Sequence, residues 1–354
     1  MLKKILSLIP ILILVGIYLA YTYTESNKPS LSPFGGQIND GGEAIKKRIS
    51  APLNLDFAMS TEIESLSTLP RYMVYNADTG KVYYSKATSD FISPASFTKL
   101  MSSMVAIDLI PLDTEITATP ESINKVPTIL ELKAGEIMPA SELLRAAIAT
   151  SANDAAQTLA DGAAKKAGLT QKEFIKLMNQ KAQLIGMKTS RFANPDGLDD
   201  DNQFSSLTDI AQMTHNVLEN YPEISSAAAT DRQDIEKTDK HGRYYLPNWN
   251  GLLGIYPGVN GLKIAYTEKA GYSTIVTAKV NDKNFVAIVS GADSYLERDR
   301  AAADLLDAAL IAEKISPKKI NRWALNKKYK EWGDLARQIR AEIEATKSAK
   351  NVTD

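Results

Sequence analysis

The chain has 354 residues, 44% hydrophobic and 23% charged, enough apolar material for a sizeable buried core and far from a disordered or collagen-like composition. Lys and Arg total 41 against 42 Asp and Glu, and a net charge of -1 leaves no electrostatic footprint for a nucleic acid, so no nucleic-acid partner is expected. With no cysteine there is no disulfide, thiolate nucleophile, iron–sulfur cluster or Cys-ligated zinc. With only His215 and His241 a three-His metal site is impossible. No metal or cofactor is expected, and hydrolytic chemistry needs a base other than histidine.

Lys3 and Lys4 precede an uncharged apolar run over residues 5–21, which reads as an export signal. Residues 18–24 offer no small-residue cleavage pattern. The expectation is therefore an uncleaved anchor over 1–24, at about 17 apolar residues near the lower limit for crossing a bilayer. The leading lysines keep that end cytoplasmic, which places the protein in the cell membrane with its remainder extracytoplasmic. Residues 25–67 are rich in Ser, Pro, Gly and Asn and predict a flexible linker, with a catalytic domain over 68–312.

Within that domain, residues 71–75 and 81–85 predict a hairpin around Asp78-Thr79-Gly80. Pro94 precedes a helix that ends near Ile110, and residues 141–164, capped by Ser141, and 171–184 read as further helices. A loop over 194–201 leads to a helix from Leu207. Three β runs follow at 261–266, 272–280 and 284–290, and residues 300–312 form a closing helix. Strands at both ends of a helical middle imply one sheet assembled from distant segments. In the tail, 313–354, Leu325, Tyr329, Trp332, Leu335, Ile339 and Ile343 form an apolar stripe on a basic helix. The stripe is assigned to a membrane surface, against the competing reading that it packs on the catalytic domain.

Ser96 and Lys99 lie three apart at the start of a predicted helix, a nucleophile within reach of a base. Burial and the helix N-terminus both disfavour the lysine charge, which lets it accept the serine proton. The spacing recurs by chance at Ser122/Lys125 and Ser316/Lys319. Ser151 and Asn153 are polar positions in an Ala-rich segment and want partners; a capped helix–loop junction satisfies them equally well. Lys263 sits in a glycine-bracketed β run, where an edge strand protected by a lysine is the competing reading.

Taken together, Ser93-Pro94-Ala95-Ser96-Phe97-Thr98-Lys99, Ser151-Ala152-Asn153, Asn194-Pro195-Asp196-Gly197-Leu198, Ser205-Ser206-Leu207-Thr208-Asp209, Gly261-Leu262-Lys263 and Ala270-Gly271-Tyr272 resemble the penicillin-binding D-alanyl-D-alanine carboxypeptidases. The resemblance implies an α/β (α+β) fold of the serine β-lactamase type, an antiparallel sheet flanked by helices with an inserted helical subdomain. It implies a serine carboxypeptidase that trims peptidoglycan stem peptides ending in D-Ala-D-Ala and is inhibited covalently by β-lactam antibiotics. Carried over, Ser96 is the acylated nucleophile, Lys99 the general base, Ser151 a proton relay, and Asn153 a partner of Lys99 and the substrate amide. Lys263 attracts the substrate carboxylate, and the backbone N–H groups of Ser96 and Tyr266 form the oxyanion hole. His215 and His241 become bystanders. The family's Lys-Thr-Gly motif reads Lys263-Ile264-Ala265 here, which removes a hydroxyl from the carboxylate site and leaves a second reading: a membrane-tethered pseudoenzyme or cell-wall peptide-binding module.

Overall fold

A computed structural model describes residues 40–350, so the expected anchor over 1–24 lies outside the described residues. Among them no helix is long and apolar enough to cross a membrane. A short helix, α1 (Asp40–Ala44), comes first, and every element below belongs to the unit over residues 44–354.

The hairpin forms as β1 (Arg71–Asn76) and β2 (Val82–Lys86), turning at Gly80, whose φ of +76° puts any Cβ 2.1 Å from the Asn54 carbonyl oxygen. The helical middle follows: α2 (Thr98–Leu109), the small pair β3 (Glu115–Thr117) and β4 (Ile137–Pro139) with α3 (Pro120–Ile123) between them, α4 (Ala140–Arg145), α5 (Asn153–Lys166), α6 (Gln171–Leu184), α7 (Leu207–Asn220) and α8 (Pro222–Ala229). A second small pair, β5 (Arg232–Ile235) and β6 (Tyr244–Pro247), precedes β7 (Val259–Ala265), β8 (Tyr272–Val280), β9 (Lys283–Ala292), α9 (Tyr295–Ala312) and α10 (Arg322–Lys350). The main sheet is antiparallel in the order β2-β1-β9-β8-β7, so the first two strands join the last three across the helical middle.

Both faces of this sheet are covered, and side-chain alternation along each strand sorts two cores. Met73 and Tyr75 on β1, Ile275 on β8 and Val286 and Ile288 on β9 pack toward the helical middle. Tyr72 and Val74, Val276 and Ala278, and Phe285, Ala287 and Val289 pack toward α9 with Leu305, Leu306 and Ala309. Double coverage is why β8 and β9 read as nearly continuous apolar runs.

Several expectations are corrected. Residues 45–67 are no tether: Lys181 Nζ donates to the Ile45 and Arg48 carbonyls at 2.8 and 2.9 Å, and Gln212 exchanges two hydrogen bonds with the Leu53 backbone at 2.8 and 2.7 Å. The segment's backbone is satisfied by side chains of α6 and α7, so the folded unit starts at Ala44 rather than 68. The helix expected over 141–164 is broken. After α4 a wide π turn (Ala146–Thr150) ends at Ser151, whose φ of +63° is left-handed, and α4 begins at Ala140 behind Pro139 without a cap from Ser141. The closing helix starts at Tyr295 because the Ser294 hydroxyl caps it, accepting from Glu297 N at 3.2 Å. In α10 the stripe assigned to a membrane is partly covered: Leu325 and Trp332 are buried against the catalytic unit, and the Trp332 ring meets Trp249 edge-on at 5.4 Å.

Candidate active site

The Ser96 segment is fixed before α2 begins. Ser96 lies in a tight turn (Ala95–Phe97) entered through Ala95 at φ +44°, and Thr98, Lys99, Leu100 and Met101 behind it are wholly buried. Loop 194–198 is pressed onto this start. Gly197, at φ +85°, approaches so closely that a Cβ would lie 2.0 Å from the Ala95 carbonyl oxygen, and Ser102 Oγ donates to the Pro195 carbonyl at 2.8 Å. The Asn194-Pro195-Asp196-Gly197 motif therefore builds the back of the site.

Lys99 is the hub. Its Nζ donates to Ser96 Oγ at 2.8 Å, to Asn153 Oδ1 at 2.7 Å and to the Asp196 carbonyl at 2.5 Å. Asn153 is oriented by its own amide, which donates to the Val126 carbonyl at 3.0 Å and so leaves the oxygen for the lysine. Burial, opposed by the fields of Asp196 and Asp154, lowers the Lys99 pKa to about 8. At that value a useful fraction of the amine is neutral near pH 7 and bonded to the hydroxyl it would deprotonate.

Ser151 is buried in the left-handed turn that ends the π segment, two residues before Asn153. The three hydrogen bonds of Lys99 go elsewhere. Lys263 lies on β7, paired with Ile275 of β8, and its buried Nζ donates to the Ile264 carbonyl at 3.0 Å. Burial first, then the neighbouring charges of Lys99 and Arg298, push its pKa well below the usual lysine range. β7 is the edge strand of the sheet, but Lys263 is not a solvent-facing guard. Tyr266 follows β7, half exposed, with its ring on Tyr272 at 4.4 Å. Ala265 is wholly buried in the core on the helical side of the sheet, so its methyl fills no open part of the cleft, whereas Ile264 is partly exposed.

Three contributors were given no role by the sequence reading. Asp196 acts through a backbone carbonyl, while its carboxylate holds Lys125 at 2.8 Å. Asp199, within the loop expected over 194–201, accepts from Ser93 Oγ at 2.7 Å and from Thr267 Oγ1 at 2.8 Å, tying the Ser96 segment to the chain just beyond β7. Arg298 enters the field at Lys263 from α9. The Ser205-Ser206-Leu207-Thr208-Asp209 motif is structural: Ser206 caps α7, and Asp209 accepts from Thr189 N and Ser190 Oγ, both at 2.7 Å. His241 is occupied with Gly242 and Glu142.

A serine-to-lysine contact on a helix start, a carboxamide from a second helix and a lysine on the edge strand of an α+β fold form an arrangement chemically able to support acyl transfer through a serine. The D-alanyl-D-alanine carboxypeptidase family matches residues 59–294, and the chain belongs to this family. D-alanyl-D-alanine carboxypeptidase DacF of Bacillus subtilis is 32% identical over 238 residues, 66% of this chain and 59% of that one. DacA of Escherichia coli is 28% identical over 264 residues, 71% of this chain and 63% of that one. The chain thus spans less than two thirds of the length of these curated relatives. Among solved structures, penicillin-binding protein D2 from Listeria monocytogenes in its cefotaxime-bound form superposes with a TM-score of 0.59 at 27% identity, covering 68% of this chain and 97% of that one. The D-alanyl-D-alanine carboxypeptidase DacD from Francisella tularensis shares the fold, with a TM-score of 0.63 at 24% identity over 79% of this chain and 76% of that one. The fold is the mixed helix and antiparallel sheet of the DD-peptidases, as expected.

Proposed function

We propose that the protein is a serine-type D-Ala-D-Ala carboxypeptidase acting on peptidoglycan stem peptides outside the cytoplasm, held to the membrane by its N-terminal segment. The observation that carries this reading is the 2.8 Å bond between Ser96 Oγ and a buried Lys99 whose charge is disfavoured. Ser96 Oγ attacks the carbonyl carbon of the terminal peptide bond as Lys99 takes its proton. The backbone N–H groups of Ser96 and Tyr266 receive the developing oxyanion. Collapse breaks the C–N bond, and the departing D-alanine nitrogen takes a proton delivered through Ser151. Water, deprotonated by the same lysine, then hydrolyses the ester and returns the proton to Ser96. Lys263 meets the terminal carboxylate, which supplies the counter-charge its buried amine lacks. A β-lactam enters by the same attack and stays as the ester. The test is labelling with a fluorescent penicillin: Ser96→Ala is expected to abolish it with the fold intact, because a single hydroxyl is removed and no packing is lost. Labelling that survives in Ser96→Ala but disappears in Ser122→Ala would overturn the assignment.

Lys263-Ile264-Ala265 favours a second reading, a module that binds cell-wall peptides without turning them over. It departs from the first only in the fate of the bound peptide.

A further inference from the structure

Residues 247–250 form a strap between the two walls of the cleft. On one side Thr150 Oγ1 donates to the Pro247 carbonyl at 3.1 Å and Trp249 N to the Ala149 carbonyl at 3.4 Å, next to the turn that carries Ser151 and Asn153. On the other, Asn250 Nδ2 donates to the Gly261 carbonyl at 2.9 Å on β7, the strand of Lys263. The relative placement of the two walls therefore follows the strap.

Asn248 within the strap donates through Nδ2 to the Ala228 and Thr230 carbonyls at 2.8 and 3.0 Å and through its backbone N to the Asp231 carbonyl at 2.9 Å. A second set of supports lies beyond residues 59–294, the part that the family matches. Arg298 on α9 donates through Nη2 to the Trp249 carbonyl at 3.3 Å and to the Tyr329 hydroxyl of α10 at 3.0 Å, and its Nε pairs with Asp299 Oδ1 at 2.7 Å. The Tyr329 hydroxyl in turn donates to Asp299 Oδ2. Trp332 meets Trp249 edge-on, and Tyr329 meets Trp332 at 5.2 Å and Tyr295 at 4.4 Å. Ring contacts continue from Tyr295 to Tyr272 at 6.2 Å and from Tyr272 to Tyr266. The fit is close: a Cβ on Gly251 would lie 2.1 Å from Asp299 Oδ2 and 2.6 Å from the Tyr329 hydroxyl. Arg298 and Asp299 are buried, as is Lys263, so an unsatisfied group here has no water to turn to.

We propose that Tyr329 and Trp332 of the C-terminal helix are positioning residues for the acylation site, acting through Arg298 and the 247–250 strap to hold the Ser151 turn against the strand of Lys263. This rests on the reading of Ser96 as the nucleophile. Neither residue touches the reacting atoms; a displacement of about 1 Å at the reacting groups lowers a rate by about a hundredfold, so a loosened strap is felt strongly.

The test is penicillin acylation kinetics on the full chain. Tyr329→Phe, which keeps the ring and removes the hydroxyl, is expected to lower the limiting acylation rate about tenfold with the half-saturating concentration unchanged. Trp332→Phe should act in the same direction through the second contact. Phe174→Leu, a core change in α6 remote from the strap, serves as the control for general loosening: it should lower the melting temperature and leave acylation at the wild-type rate. Wild-type acylation in both folded α10 variants overturns the proposal, as does an equal slowing in Phe174→Leu at a matched loss of stability. A wild-type chain that takes no label overturns the Ser96 reading together with this one, and so separates the two failures.

Discussion

At Lys99 the chemistry is set by burial, because the amine has three hydrogen-bond acceptors but no carboxylate bonded to it to hold its charge. Its pKa lowered to about 8 fixes a sign: below that value the protonated form dominates and cannot accept the serine proton, so the acylation rate should rise about tenfold per pH unit and level off above it. A penicillin acylation profile measured from about pH 5 to 9 checks this, and a flat profile would remove Lys99 as the base. At the two positions that follow Lys263 on β7, the departures from the family motif separate. Ala265 is in the core, and the loss falls on Ile264, which is partly exposed. A hydrogen bond to a charged group contributes about 1.5–3 kcal/mol, so Ile264→Thr should raise acylation by a D-Ala-D-Ala substrate about tenfold or more. Ala265→Gly should add nothing to it. An Ile264→Thr chain at the wild-type rate would mean that the carboxylate is held without this hydroxyl.

Among the elements, the start of α2, the turn after the π segment and the end of β7 must meet, and the loops between them decide how. Asp199 joins two of them with bonds of 2.7 and 2.8 Å to Ser93 and Thr267, both at the mouth of the cleft. These are solvent-exposed bonds of about 1 kcal/mol each, so Asp199→Ala should change stability little while slowing acylation about three- to tenfold, as Ser93 and Thr267 drift apart. Unaltered acylation would show that the loop is dispensable. What was legible in the sequence follows the same division. Ser96 and Lys99 are three apart on one helix, so their contact is local geometry, and the spans of β8 and α6 follow from their apolar patterns and flanking turns. The break at Ser151 was legible only as the alternative reading of a helix–loop junction, because an Ala-rich run favours helix throughout; Asn153 N donating to the Thr128 carbonyl at 2.8 Å is among the contacts that compete. The order of residues 45–67 was hidden for a related reason: their partners, Lys181, Gln212 and Asn216, the last accepting from Ser50 N at 2.9 Å, lie far away in sequence. The Asn194-Pro195-Asp196-Gly197-Leu198 motif marked the loop, but a sequence does not say that Asp196 serves Lys99 through its backbone carbonyl.

For the whole molecule, the sheet buried on both faces gives the cleft rigid walls, and α10, whose apolar spacing and basic charge had pointed to a lipid surface, adds a brace. Trp332 and Leu325 are committed to the catalytic unit, so the apolar half-stripe they form is withdrawn from membrane contact. The central claim is turnover rather than capture, and release of free D-alanine measures it most directly. Incubated with a peptide ending in D-Ala-D-Ala, the protein is expected to release one D-alanine per peptide over many turnovers, and Ser96→Ala none. Penicillin labelling of Ser96 without any release of D-alanine would contradict the account and leave a peptide-binding module in its place.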